Sequence, residues 1–460
     1  MPKPPPLSLV EFTERLGYIN APFHEQIYAA LTDEKIKRLL IILPPGHGKS
    51  TCVTVNYPLW RVGNDHNYRV IAASYAKDFV ASFLREITGR MQSPEYIQDC
   101  KFGELKPQRG GAQVGYKWAS NEIIVQRPII HKDPTFTALG TGQGTIGRRA
   151  HDLIADDIVD EDHAYSETLR ERLWSWWKNE FLTRLEPNGR VIVVGTRVHF
   201  LDLYGRLLKE KDENDNPLWH IIILPAYDKA LKPLWEAKWP LEILLSIKRE
   251  LGSPVFTAKY LGDPTPQEGA TLKREWLNYW TEEAEDKSKR VYKLPVRDRL
   301  RIYQAWDLAI SEDPSADWTV GLTLGVDMDG GIYLLDYARG HWDFPTQIKQ
   351  VEAQAAMWSP LKIAIESNAY QKALPQALRA GLLPVVEVKQ TRDKIMRIQE
   401  LSPHFENGAI RISRAHDEFL LEYLQFPKGE HDDILDALHL AFSQVREPSP
   451  QFMPVTRSFG

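Results

Sequence analysis

The run Gly46-His47-Gly48-Lys49-Ser50-Thr51 sets a lysine and two hydroxyls directly after a glycine turn. Backbone N–H groups in such a loop surround phosphate oxygens, Lys49 adds a point charge, and the Ser50 hydroxyl is placed to hold Mg²⁺. The fuller form of this pattern asks for glycine five residues before Gly48, and here that residue is Leu43. Later, His151-Asp152-Leu153-Ile154-Ala155-Asp156-Asp157 is an apolar run that ends in two acids. Beside a phosphate loop, Asp156 can hold Mg²⁺ through water while Asp157 orients an attacking water. Arg190-Val191-Ile192-Val193-Val194-Gly195-Thr196-Arg197 ends in a polar group, Thr196, suited to sensing a terminal phosphate. The first half of the chain therefore carries the parts of a nucleoside triphosphatase.

A second set of acids lies further on. Asp307 closes the run Arg301-Ile302-Tyr303-Gln304-Ala305-Trp306, Glu366 closes Lys362-Ile363-Ala364-Ile365, and Asp432, Asp433 and Asp436 open an apolar helical pattern. Carboxylates from separate strand ends and a helix start repel one another unless cations sit among them, and an all-oxygen set suits Mg²⁺ or Mn²⁺. Two such ions about 4 Å apart activate water and stabilise the leaving oxygen of a phosphodiester. On a helical wheel Ile434, Leu435, Leu438, Ala441 and Phe442 form the buried side, Asp433 borders it, and Asp432 and Asp436 fall further round. Asp433 is thus the first choice as ligand, with Asp432 and Asp436 as auxiliaries and Asp317 a weaker candidate. In the basic stretch Lys389 to Arg397, Lys394 and Arg397 share a helix face that could touch DNA phosphates, the alternative being a solvated charged face.

The elements that must position these groups follow from periodicity. A proline-rich arm precedes a helical pattern over Leu9 to Leu31, whose Phe23-His24-Glu25-Gln26 could lie near a nucleotide base. Strand and helix then alternate: Leu39–Leu43, the loop, Arg69–Ser74, and a helix over Asp78 to Met91. Residues 101–146 read as loops and short strands, and Ser166 to Leu185 as a Trp-rich helix. The pattern changes to Pro, Trp and Lys over 224–269, with one helical piece around Pro240 to Leu251. After it, alternating strands at 301–309, 319–326 and 332–337 predict a meander. A helix, a strand and a final helix from His431 to Val445 complete the order expected of a ribonuclease H-like nuclease.

The expected fold class is α/β. A P-loop ATPase domain with a parallel-rich sheet spans 1–223, a small subdomain and linker 224–269, a ribonuclease H-like domain 270–446, and a flexible proline-rich tail 447–460. At 460 residues there is chain enough for two or three cores. With 43% hydrophobic and 26% charged residues the composition is that of a globular protein. No apolar run reaches the roughly 20 residues that cross a bilayer, and Met1-Pro2-Lys3-Pro4-Pro5-Pro6 has no signal-peptide core, so the expectation is an intracellular protein with no membrane partner. Two cysteines, Cys52 and Cys100, are too few for a zinc cluster or a disulfide framework. A net charge of −5 excludes a protein that coats nucleic acid by overall charge, though not one with a local basic groove.

An ATPase half followed by a metal-nuclease half resembles the large terminase subunits of tailed double-stranded DNA bacteriophages. The resemblance extends to Val194-Gly195-Thr196-Arg197-Val198-His199, Asp202-Leu203-Tyr204-Gly205-Arg206-Leu207-Leu208, Ala258-Lys259-Tyr260-Leu261-Gly262-Asp263-Pro264, Asp393-Lys394 through Arg397, and His431-Asp432-Asp433 with Asp436-Ala437-Leu438. It implies a motor that hydrolyses ATP to drive double-stranded DNA into a procapsid and an endonuclease that cuts concatemers. It also implies a portal protein and a small terminase subunit as partners, a homo-oligomeric ring during packaging, and a place in the host cytoplasm, transiently docked on the portal. By the same resemblance Lys49 binds phosphates, Ser50 and Asp156 hold Mg²⁺, Thr196 couples, and Asp307, Glu366 and Asp433 hold the nuclease metals. The base is Asp157 or Glu161, because the family's usual Asp-Glu is Asp156-Asp157 here, and the trans-acting arginine is Arg148 or Arg149. Two other readings compete: a cellular ATP-dependent repair or restriction nuclease, and a catalytically inert assembly protein.

Overall fold

A computed structural model describes residues 7–100, 102, 118–119, 121–127, 129, 131–142, 147–264, 272–308, 318–366, 375, 378–379, 381–427, 429 and 431–445. Asp317 and residues 143–146 lie outside the described residues. The chain divides into two compact units, Met1–Lys248 with Pro254–Pro266 and Arg249–Ser253 with Gln267–Gly460.

The first unit is an eight-stranded sheet. Its strands are β1 (Arg38–Ile42), β2 (Val70–Ser74), β3 (Trp118–Ala119), β4 (Glu122–Ile123), β5 (Phe136–Gly140), β6 (Ala150–Asp156), β7 (Leu185–Gly195) and β8 (His220–Ile223), in the order β3-β4-β5-β2-β6-β7-β1-β8. From β5 to β8 every neighbouring pair is parallel, and β3 and β4 add an antiparallel edge. Strands buried on both faces read as unbroken apolar runs, which is why Leu39–Leu43 and Val191–Val194 show no alternation in sequence. Successive residues nevertheless part to opposite faces. Leu39, Ile41, Ile154, Ile192 and Val194 pack with Phe12, Ile27 and Tyr57, whereas Leu40, Ile42, Leu153, Val191 and Val193 pack with Trp176, Trp177 and Tyr204.

The helices on these faces are α1 (Leu9–Arg15), α2 (Pro22–Thr32), α3 (Tyr57–Asn64), α4 (Lys77–Met91), α5 (Glu161–Tyr165), α6 (Glu167–Trp176) and α7 (Leu203–Leu207), and α8 (Leu241–Leu261) packs in a small cluster of its own with Ala226 and Tyr227. The helical pattern over Leu9 to Leu31 is two helices, not one. A Ser8–Glu11 capping box starts α1, Gly17 at φ 84° takes the chain out of it, and Pro22 begins α2. The helical piece expected around Pro240 to Leu251 ends where α8 breaks, at Gly252 (φ 76°, ψ 158°) ahead of Pro254, and a second piece continues to Leu261.

In the second unit β9 (Tyr279–Thr281) and β10 (Val291–Lys293) pair with each other. A six-stranded sheet comprises β11 (Arg301–Asp307), β12 (Thr319–Val326), β13 (Ile332–Gly340), β14 (Lys362–Glu366), β15 (Val385–Val388) and β16 (Ile410–Arg411), ordered β15-β14-β11-β12-β13-β16. β11, β12 and β13 form the expected antiparallel meander, while β14 lies parallel to β11. The helices that matter here are α9 (Phe344–Trp358), α10 (Lys394–Gln399), α11 (Asp417–Gln425) and α12 (Asp433–Phe442). Ile434, Leu435, Leu438 and Ala441 of α12 share a core with Tyr303, Ala305, Leu322 and Leu324 of the sheet. The mixed α/β architecture with parallel-rich sheets is the one the sequence implies.

Candidate functional sites

In the first unit β7 lies between β6 and β1, all three parallel, so Asp156-Asp157, Thr196 and the loop after Leu43 emerge at one edge. Gly46 and Gly48 both take positive φ, 74° and 79°. Lys49 Nζ donates to Thr196 Oγ1 at 2.9 Å and pairs with Asp157 Oδ2 at 2.8 Å. Asp157 is held at φ 45°, an uncommon conformation for a non-glycine residue, and its Oδ1 accepts the Thr196 N–H at 3.0 Å. Thr196 Oγ1 in turn donates to the Leu43 carbonyl at 3.2 Å. Ser50 Oγ donates to Asp156 Oδ1 at 3.1 Å and Thr54 Oγ1 to its Oδ2 at 2.6 Å. Asp156 is fully buried, and burial, then the neighbouring Asp157, push its carboxyl well above the usual range. Two hydroxyls and two acids at the foot of a glycine loop are a hard-oxygen set that fits Mg²⁺.

The remaining candidates of this half lie elsewhere. Glu161, first residue of α5, pairs with Lys259 at 2.5 Å. Arg148 pairs with Glu122, and Arg149 Nη1 donates to the Leu185 carbonyl at 3.4 Å. Both arginines precede β6 and therefore sit at the sheet edge opposite Asp156, about 20 Å away along seven residues of strand. Just beyond Thr196, Asp202 is fully buried and accepts Arg197 Nε at 3.0 Å and the Gly205 N–H at 2.8 Å, which fixes the turn that carries Thr196 into α7.

His47 is enclosed as well. Trp239 stacks on its ring with centroids 5.9 Å apart and planes 15° off parallel, and burial holds the imidazole down at about 4. Lys238 Nζ and Trp239 Nε1 both donate to the Gly46 carbonyl, at 2.9 and 3.2 Å. His24 Nε2 meets the His47 carbonyl at 3.1 Å. His24 thus borders the phosphate loop; its Phe23 neighbour packs on Trp235.

In the second unit Trp306 pairs with Ile365 across β11 and β14, so Asp307 and Glu366 stand side by side at the same sheet end. Asp433 and Asp436 at the start of α12 are 6% and 5% exposed. The wheel therefore misplaces Asp436, which faces inward because an N-terminal turn packed under two strands buries a wider arc than a helix lying on a surface. Lys394 and Arg397 are not a solvated face. Lys394 Nζ bonds Asp432 and lies 2.7 Å from Asp436 Oδ2, and Arg397 Nη1 lies 2.9 Å from Asp436 Oδ1. Asp307 is pushed up to about 7 by burial and then by Asp436, Glu366 and Asp433, an effect that Lys394 opposes. Glu366 is raised by burial, and Arg397 offsets part of that. Among the described residues no three acid, imidazole or thiolate groups are drawn together as tightly as the ligands of a bound ion. What the acids share is a field, with the Lys394 ammonium among them, and the repulsion Asp307 feels is of the kind a divalent cation relieves.

Sequence reasoning missed Glu422. This carboxylate of α11 is 4% exposed, and its Oε2 accepts the N–H of Ile434 at 2.8 Å and of Leu435 at 3.3 Å. It caps the helix that bears Asp433 and Asp436 from outside that helix. The signal in the chain is an acid one helical turn after Phe419, which is fully buried.

Residues 304–444 match the family model described as the terminase RNaseH-like domain. The large terminase subunit of Enterobacteria phage T3 is 30% identical over 198 residues, 41% of this chain, and the match spans only 30% of that protein. The large terminase of a thermophilic bacteriophage, solved in complex with ADP, superposes with a TM-score of 0.51 at 10% identity, covering 93% of this chain and 99% of that one. At that identity the likeness is one of fold. No helix among the described residues is long and apolar enough to cross a membrane.

Proposed function

We propose that this chain, whose residues 304–444 belong to the terminase RNaseH-like domain family, is the large subunit of a phage DNA-packaging terminase. It hydrolyses ATP to translocate double-stranded DNA into a procapsid and cuts concatemeric DNA with a metal-dependent endonuclease. The carrying observation is the pair of sites on two separate sheets: Lys49 between Thr196 and Asp157 on one, Asp307 beside Glu366 on the other.

At the first site Gly46 to Thr51 cradle the phosphates of ATP, and Ser50 and Asp156 would hold Mg²⁺, which would supply neutralisation of phosphate charge. Asp157 serves as base in preference to Glu161, because it stands at the phosphate loop against Lys49 and the Thr196 N–H, whereas Glu161 lies on α5 against Lys259. Thr196, bonded to both Lys49 and the loop's first carbonyl, passes a change at the phosphates to the Asp202 turn. Arg148 and Arg149, remote from this site in their own chain, are available to a neighbouring subunit in a ring. At the second site Asp307, Glu366 and Asp433 would hold divalent ions, Mg²⁺ or Mn²⁺, and the chemistry these would supply there is activation of water and charge stabilisation of a leaving oxygen. Asp432 and Asp436 act as auxiliaries that fix Lys394 and Arg397 near the phosphodiester. The portal protein, the small terminase subunit and a place in the host cytoplasm complete the reading.

The test is separation of function. Lys49→Ala abolishes ATP hydrolysis and leaves Mn²⁺-dependent nicking of plasmid DNA, and Asp307→Ala does the reverse. If either variant, shown to be folded, loses both activities, the two-site reading is wrong.

A further inference from the structure

We infer that Lys238, Trp239 and His24 are positioning residues that set the shape of the phosphate loop from outside it. The inference rests on the nucleotide-binding reading of that loop. In a planar trans peptide the C=O and N–H point in opposite directions. The Gly46 carbonyl is held by Lys238 Nζ at 2.9 Å and Trp239 Nε1 at 3.2 Å, which turns the His47 N–H away from them. The His47 carbonyl is held by His24 Nε2 at 3.1 Å, which does the same for the Gly48 N–H. The Ala21 N–H donates to His24 Nδ1 at 2.9 Å, so the proton of the neutral ring belongs on Nε2, where it can be donated to His47. Both carbonyls are thereby held by groups outside the loop, and the orientation of the two N–H groups that follow them, through which such a loop receives phosphate oxygens, is set with them.

The two glycines are fitted to these holders. A Cβ on Gly46 would stand 2.5 Å from Trp239 Cζ2, and a Cβ on Gly48 would stand 3.1 Å from His24 Nε2. Trp239 further stacks on His47, and Trp235 meets His24 edge-on with centroids 4.9 Å apart. A loop that has Leu43 where the fuller pattern has glycine, followed by two prolines, thus draws its geometry from α2 on one side and residues 235–239 on the other. Amides aimed before binding cost less to order when ATP arrives, so the holders act on affinity more than on the chemical step.

The test uses the full chain and ATP with Mg²⁺. Lys238→Ala with Trp239→Phe strips both donors from Gly46 while keeping a ring against His47. The expected result is a Kd for ATP, by calorimetry, and a KM each raised about tenfold, the effect of about 1.4 kcal/mol, with kcat changed less than about threefold. Lys238→Arg with Trp239 intact, which keeps a donor, restores the affinity that Lys238→Ala alone loses. In addition the change in indole fluorescence on adding ATP to the wild type is diminished in Trp239→Phe. If the double variant is unfolded, Lys238→Ala alone carries the test, since that side chain is exposed. Wild-type binding of ATP with an unchanged Kd in the variants overturns the inference. Failure of the wild type itself to bind ATP overturns the nucleotide reading and the inference with it.

Discussion

Asp156→Asn is expected to make the protein more stable and at the same time inactive as an ATPase. The carboxylate is fully buried, next to Asp157, and its two oxygens accept the hydroxyls of Ser50 and Thr54. Burial first and Asp157 second raise its pKa. Asparagine has the same shape and keeps an acceptor for one hydroxyl, while the other hydroxyl can rotate to accept from the new amide. Removing a buried charge that stands next to a second carboxylate is worth about 1–2 kcal/mol. For a unit of this size that is a rise in Tm of about 2–6 °C. The pH dependence fixes the sign. A carboxyl whose folded pKa is raised contributes stability at low pH that is lost as pH rises through the folded value, and asparagine does not titrate. The gain from the substitution is therefore largest near pH 8 and shrinks toward pH 5. The assay is thermal unfolding of wild type and variant across that range in a chelator, alongside ATP turnover. A variant less stable than wild type at pH 8 would show that the carboxylate is a net stabiliser, and the reasoning from burial would fall.

Glu422→Ala leaves the N–H groups of Ile434 and Leu435 without their acceptor and lowers the stability of the second unit by about 2–3 kcal/mol in denaturant melts, whereas Glu422→Gln costs under about 1 kcal/mol. Burial raises Glu422 to about 7, so its contribution to stability is present below pH 4.5 and is lost as pH rises through 7; Glu422→Gln flattens that slope in a chelator. Arg197→Leu strands the buried Asp202 carboxylate and costs about 3–5 kcal/mol in guanidinium unfolding; a loss under about 1 kcal/mol would mean that the backbone N–H donors alone satisfy it.

The parallel sheet, the meander and the strand-end acids were legible because each depends on local patterning. An apolar run that ends in Asp-Asp or in Glu says where the run stops and what is left at its edge. The break between α1 and α2 was less so: Gly17 carries a boundary only if its positive φ is adopted, and the apolar pattern continues across it, whereas the helical piece ending at Leu251 stops where α8 breaks. What could not be read are the partnerships at long separation. Lys238 and Trp239 reach Gly46 across nearly two hundred residues, and Glu422 reaches Ile434 through a turn that only the tertiary fold closes. The error on Asp436 is of the same kind. A helical wheel knows the helix but not the strands above it, and those decide how wide an arc is buried.

The two sites treat their acids differently, and the difference argues for what each acid is for. Asp157 has a lysine at 2.8 Å, so its charge is balanced by a group that also belongs to the phosphate loop. Asp436 likewise has both Lys394 and Arg397, and with two cations in hand it has less to offer a metal than its position suggests. Asp307 stands at the other extreme: burial and three acids push it up to about 7, and Lys394, engaged by Asp432 and Asp436, relieves this only in part. Of the five acids at these strand ends and this helix start, Asp307 is accordingly the one whose charged form burial and its neighbours oppose, and Asp436 the one that two cations compensate.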